Sequence, residues 1–219
     1  MPLRSRKLPQ IIPLLSPLVG AHLVCARLRV PFPCFGVRRP QLYPTGKKEL
    51  PMSQVRLAGV IRESIVDGPG FRFVIFAQGC PHHCPGCHNP DTHDPAGGYD
   101  SDTGRLLAEF RKNPLLAGVT LSGGDPFLQA RPLAELAGQV HALGKNVITY
   151  TGYTIEYLMA HLDEHDGWRE LLMETDVLID GPFIAAEKSL MLRFRGSRNQ
   201  RAIDPRASLA ARTAVECDI

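Results

Sequence analysis

"FRFVIFAQGCPHHCPGCHNP", residues 71–90, sets a near-continuous run of apolar and aromatic residues against a loop crowded with Cys, His and Pro. The run from Phe71 to Ala77 is short and rich in β-formers, which predicts a buried strand. The loop that follows cannot extend that strand, because Gly79, Pro81, Pro85 and Gly86 break it. Chemistry-bearing residues at the carboxyl end of a buried strand are the mark of α/β architecture, where ligands collect at that end.

The pattern on either side of this stretch agrees. "VRLAGVI" (55–61), "GVTLSGG" (118–124), "KNVITYTGY" (145–153) and "TDVLIDG" (175–181) read as further strands, the last three closed by Gly. Between them, "SDTGRLLAEFRK" opens with cap-type residues, and "RPLAELAGQVHALG" repeats Leu133, Leu136, Ala137, Val140 and Leu143 at helical spacing up to Gly144. "TIEYLMAHL" and "WRELLME" supply more helix. Strands and helices in alternation predict a parallel sheet with right-handed crossovers. The cysteine loop, "SGGDP", "TGY" and "DGPF" would then share one rim.

Composition bounds the rest. The 219 residues carry a formal charge of +3, but residues 1–48 hold nine Lys or Arg and no acid, leaving a formal −6 for residues 49–219. The folded part is therefore acidic, which argues against a nucleic-acid surface. Nine of the 19 prolines fall in the first 51 residues and interrupt every apolar run there, so no segment is predicted to span a membrane. A secretory leader, an organelle transit peptide and an untranslated stretch are the three readings of residues 1–51. The expectation is the last of these, with Met52 as a natural start and residues 52–219 as the domain. Cys25 and Cys34 lie in the extension. A thiol-rich loop in the body fits a reducing compartment, so a cytoplasmic location is expected.

Cys80, Cys84 and Cys87 form CxxxCxxC. A structural zinc site wants four ligands, and the fourth would have to be His82, His83, His88 or His93. A redox pair would use only Cys84 and Cys87. Three unrelated buried cysteines would sit on apolar elements rather than on this loop. An iron-sulfur cluster held by three thiolates, with one iron left open, accounts for all three sulfurs.

The cysteine loop followed by "LSGGDP" resembles the radical S-adenosylmethionine superfamily. "DGPGFRFVIFAQGCPHHCPGCHNPDTHD" is similar to the activating enzymes of glycyl-radical enzymes. With "YTGY", "LIDGPF" and "FRGSRNQR", it is most similar to the activases of anaerobic ribonucleoside-triphosphate reductases, from Gly68 to about Arg201. The resemblance implies an α/β fold, a partial (β/α) barrel with a mostly parallel sheet behind an irregular N-terminal extension. It implies a 4Fe-4S cluster on Cys80, Cys84 and Cys87, whose open iron binds S-adenosylmethionine and whose electron cleaves it to a 5′-deoxyadenosyl radical. Gly86, Cys87 and His88 would lie near the adenine, and Ser122, Gly123, Gly124 and Asp125 near the methionine amino group. Thr151, Tyr153 and Asp180 are candidates for ribose or methionine contact, and Asp67 and Arg72 for supporting groups. Arg193, Arg195, Arg198 and Arg201 suit a role near the site or the partner. Many relatives place an aromatic residue where this chain has Gly86, which leaves adenine stacking to another group such as His88.

The substrate so implied is a glycine in the large subunit of an anaerobic ribonucleotide reductase, with an electron donor such as reduced flavodoxin. Activation of another glycyl-radical enzyme, for instance a formate-lyase, and a non-catalytic zinc or iron-sulfur module are the competing functions.

Overall fold

The computed structural model describes residues 52–219; the expectations for residues 1–51 lie outside them. Seven strands form one sheet in the order β3-β1-β2-β4-β5-β6-β7. They are β1 (Gln54–Ser64), β2 (Phe71–Ala77), β3 (Tyr99–Asp102), β4 (Leu116–Gly123), β5 (Asn146–Tyr150), β6 (Val177–Asp180) and β7 (Arg201–Ile203). The helices are α1 (Thr103–Phe110), α2 (Ala130–Ala142), α3 (Ile155–Ala160), α4 (Trp168–Glu174) and α5 (Pro205–Ala211).

The expected parallel sheet is present at the centre only. β2, β4, β5 and β6 run parallel, whereas β1, β3 and β7 pair antiparallel at the two edges, and the sheet is open. "VRLAGVI" and "FRFVIFA" form an antiparallel hairpin with irregular register at Leu57/Gly59 and Ile61/Ser64. β3 and β7 escape the sequence reading because they are short: "YDSD" has little strand propensity and is ordered by pairing with β1, and "RAI" is only three residues long and is ordered by pairing with β6.

Alternation within the central strands sorts their side chains. Phe73, Ile75, Val119, Leu121, Val147 and Leu178 face the helices in the main core. Ile148, Val177 and Ile179 form a second cluster on the other face with Ala202 and Cys217. α2 contributes Leu133, Leu136, Ala137 and Val140 to the main core, as its spacing predicts, and ends at Gly144 in a left-handed conformation (φ +71°). Asp102 caps α1 by accepting the Arg105 N–H at 2.7 Å.

Arg72 interrupts the apolar run of β2 and is fully buried. Its Nε donates to Thr120 Oγ1 at 3.0 Å, and its Nη atoms donate to the Val119 carbonyl and Asn146 Oδ1. Thr120 Oγ1 in turn donates to the Asp67 carbonyl at 2.8 Å, and a β-carbon on Gly68 would press on Arg72 and Ile148. Arg72 thus stitches β2 to β4 and β5 at their amino ends, far along the strands from the cysteine loop; its role is in the fold. Burial pulls its pKa down to about 10, which leaves the guanidinium charged at neutral pH. Arg72→Ala would leave these acceptors unpaired in the interior, and we expect a loss of about 3 kcal/mol in urea unfolding.

Candidate iron-sulfur site

Because β2, β4, β5 and β6 are parallel, the four loops singled out in the sequence leave the same end of the sheet. Backbone bonds lock them together there. Gly124 N–H donates to the Ala77 carbonyl and Asp125 N–H to the Gly79 carbonyl, both at 2.8 Å. Gly181 N–H donates to the Tyr153 carbonyl at 2.9 Å.

The cysteine loop is pinned at both ends. Gly79 and Cys80 donate to the carbonyls of Thr92 and His93, and buried Gln78 donates through Nε2 to the carbonyls of Asp91 and Asp94. Inside the loop, Cys87 N–H donates to the Cys84 carbonyl at 3.1 Å, with Gly86 at φ +76°. Pro85 and Gly86 therefore occupy the corners of a type II turn, which wants Pro first and Gly second. This explains the missing aromatic: a side chain at position 86 would have to adopt a left-handed backbone, although the space is there, the nearest neighbours being Ala185 and Phe183 at 3.6 and 3.7 Å.

Cys80, Cys84 and Cys87 are half-buried and free. Cys87 Sγ accepts the Asn89 N–H at 3.4 Å. Burial pushes the Cys80 thiol pKa up, and the nearby Asp125 carboxylate adds to the rise, against hydrogen bonds from the backbone of His82 and His83. A metal reverses that balance, since a coordinating thiol is deprotonated outright. Among the described residues no three His, Cys, Asp or Glu side chains are gathered around a single-ion position. Three unpaired thiols on one anchored loop, one of them already accepting a backbone N–H, fit a thiolate-ligated iron-sulfur cluster.

Asp125 is the hub of the rim. It has no exposed surface, and its Oδ2 accepts from His82 Nε2 (2.7 Å), Thr151 Oγ1 (2.8 Å) and Gly152 N–H (3.0 Å), while Oδ1 accepts from Phe127 N–H at 2.9 Å. An ionised carboxylate only accepts, so His82 Nε2 carries the proton. Thr151 Oγ1 also accepts the Tyr153 N–H at 3.1 Å. The side chains of Asp125 and Thr151 thus face one another and the cysteine loop. Ser122 and Gly123 end β4 opposite Phe76 and Ala77 of β2. A β-carbon on Gly123 would strike the Phe76 backbone and one on Gly124 the Gly79 carbonyl, so both glycines are required by the approach of β4 to the cysteine strand.

His82, which the sequence offered only as a possible zinc ligand, and Phe183, which it left without a role, lie beside the cysteine loop. His82 joins the cysteine loop to Asp125 and packs edge-on against Tyr153 at 4.4 Å between ring centres. Burial, with Asp125 next, pushes the Tyr153 phenol up to about 12. Phe183, beyond β6, lies 5.1 Å from exposed His88, ring centre to ring centre, and touches Gly86. The only hint of either was position: His82 lies between two cysteines, and Phe183 follows a strand.

Asp180 and Arg201 bond each other and not the loop. Arg201 Nε donates to Asp180 Oδ1 at 3.0 Å, its Nη atoms reach Glu156, and Asp180 Oδ2 accepts the Ile155 N–H at 2.8 Å. Arg195 and Arg198 lie in the loop that leads to β7, where Arg195 Nη1 donates to the Gln200 carbonyl at 3.2 Å. Arg201 holds the Glu156 carboxyl down at about 2, below its usual 4.5. A carboxylate lowered in the folded state stabilises above its unfolded pKa and loses that contribution as pH falls toward the folded value. Arg201→Gln should therefore shift acid unfolding to higher pH, read by circular dichroism between pH 5 and about 2.

Residues 66–203 match the 4Fe-4S single cluster domain family. The anaerobic ribonucleoside-triphosphate reductase-activating protein of Vibrio cholerae is 35% identical over 144 residues, which cover 62% of this chain and 89% of that one. This chain belongs to that family of activating proteins. The proteins of the same name from phage T4 (35% identical over 144 residues, 62% of this chain and 85% of that one) and Escherichia coli K12 (30% over 150 residues, 62% and 90%) match the same region. The crystal structure of QueE from Escherichia coli superposes on 46% of this chain and 53% of its own with a TM-score of 0.38 at 19% identity, too partial a likeness to bear on the fold.

His82→Ala would remove one donor from the buried carboxylate and the link between the cysteine loop and β4. We expect stability to fall by about 2 kcal/mol in urea unfolding and the reconstituted protein to retain less iron per chain after gel filtration.

Proposed function

We propose that this chain activates an anaerobic ribonucleoside-triphosphate reductase by installing a glycyl radical on its large subunit. The reading is carried by three unpaired cysteines on one anchored loop at the rim of an α/β sheet, in a chain of the activating-protein family. Cys80, Cys84 and Cys87 hold a 4Fe-4S cluster through three thiolates. When bound, the cluster and S-adenosylmethionine supply the one-electron chemistry that removes hydrogen from the glycine.

The protein's part is to hold and to shield. The Pro85–Gly86 turn sets the separation of Cys84 from Cys87, and Asp125 holds the cysteine loop against β4 and β5 through His82, Thr151 and Gly152. The backbone of Ser122, Gly123 and Gly124 lines the edge of the site for the methionine end of the cosubstrate, with Asp125 and Thr151 behind it. Gly86, Cys87 and His88 would border its adenine when it is bound, and the rings of His88 and Phe183, packed against each other, would supply the stacking surface that Gly86 cannot. The central strands serve as the partial (β/α) barrel expected of a radical S-adenosylmethionine enzyme, and the substrate protein completes the enclosure. We place the enzyme in the cytoplasm with a reduced flavodoxin as electron donor. No described helix is long and apolar enough to cross a membrane.

Anaerobic reconstitution tests this directly. A brown protein with about four irons per chain that releases 5′-deoxyadenosine from S-adenosylmethionine is expected, and Cys84→Ala should lose both colour and release. A full cluster in that variant would refute the ligand assignment, and a colourless protein holding one zinc would overturn the function.

A further inference from the structure

Beyond the cluster loop, the same rim carries a projecting hairpin that the chemistry described so far does not use. Its base is firmly held. Lys188 bridges Ser197, Arg198 N–H donates to the Glu187 carbonyl at 3.0 Å, and Asn199 Nδ2 and Gln200 Nε2 donate to the carbonyls of Pro182 (2.7 Å) and Gly181 (3.1 Å). A β-carbon on Gly196 would press on the ring of Phe183, and that same ring packs against His88, next to the third cysteine, at 5.1 Å between ring centres. The base of the hairpin is thus continuous with the cluster loop.

Its tip is the reverse. Leu190 is 92% exposed and Met191 91%, the highest values among the large apolar side chains of the described residues. Leu115, Val66 and Ile65, the next most exposed, lie at the opposite, amino end of the parallel strands. The hairpin is also cationic: from Ile184 to Arg198 it carries Lys188, Arg193, Arg195 and Arg198 against Glu187 alone, in a body with a formal charge of −6. A solvated loop has no need of adjacent Leu and Met at its apex, whereas an apolar anchor ringed by charge is the form of an interface hot spot.

We propose that the Lys188–Ser197 hairpin is the docking element for the protein substrate, with Leu190 and Met191 entering an apolar depression whose rim is acidic. The inference rests on the activase reading, which requires a macromolecule to approach this rim. The occupant follows from placement: a protein that delivers a glycine to the cluster loop must pass the hairpin that flanks it. Like charges along the hairpin repel a second copy docked tip to tip, and opposite charge on the substrate steers it.

The test uses the full chain, anaerobically reconstituted, and purified anaerobic reductase large subunit from the same source. Leu190→Asp combined with Met191→Asp should weaken association at least about tenfold and lower the yield of glycyl radical measured by electron paramagnetic resonance. Iron content and dithionite-driven release of 5′-deoxyadenosine without reductase should stay at the wild-type level. Unchanged association in the double variant overturns the docking role, as does a shift from dimer to monomer with reductase binding retained. Loss of 5′-deoxyadenosine release by the variant would place the hairpin in the cofactor site and overturn the proposal as well. Failure of the wild type itself to release 5′-deoxyadenosine would instead count against the activase reading.

Discussion

A single buried carboxylate organises the functional end of this protein. Asp125 receives four hydrogen bonds from three separate stretches of chain: the cysteine loop, the turn into α2 and the end of β5. A buried charge is tolerated only where donors surround it, and here the donors are the segments that must be brought together. The cysteine loop has little apolar surface with which to pack. Its position relative to β4 and β5 therefore depends on polar contacts, and removing Asp125 would cost the rim its register before it cost the sheet its core.

Arg72 plays the corresponding part at the other end of the strands. There a buried cation, surrounded by carbonyl and side-chain oxygens of β4 and β5, fixes how the central strands lie side by side. The two groups divide the sheet: a cation ties it at the amino ends, where nothing need bind, and an anion ties it at the carboxyl ends, where the thiols are displayed. Between them the apolar side chains of β2, β4, β5 and β6 pack on both faces of the sheet, against the helices on one side and against Ala202 and Cys217 on the other.

Sequence reading located the central strands and α1 to α4, because each has a strong period or an apolar run bounded by Gly. It missed β3 and β7, which are too short to show a period and are ordered by the strands beside them, and it could not tell the β1–β2 hairpin from a parallel pair. The three cysteines and "SGGDP" were legible as a site. The reason for the glycines was not: they clear the path of one strand past another, a tertiary fact with no local signature. His82 looked like one of several interchangeable histidines, since nothing along the chain distinguishes the ring that reaches Asp125 from those that do not.

The Pro85–Gly86 turn bears on how the cofactor is acquired. Its hydrogen bond joins backbone groups of Cys84 and Cys87, so the chain itself sets their separation. Cys80 is tied to the His93 carbonyl as well, so all three thiols stand on backbone that the fold already fixes, and little conformational entropy would be left to lose when they close on iron.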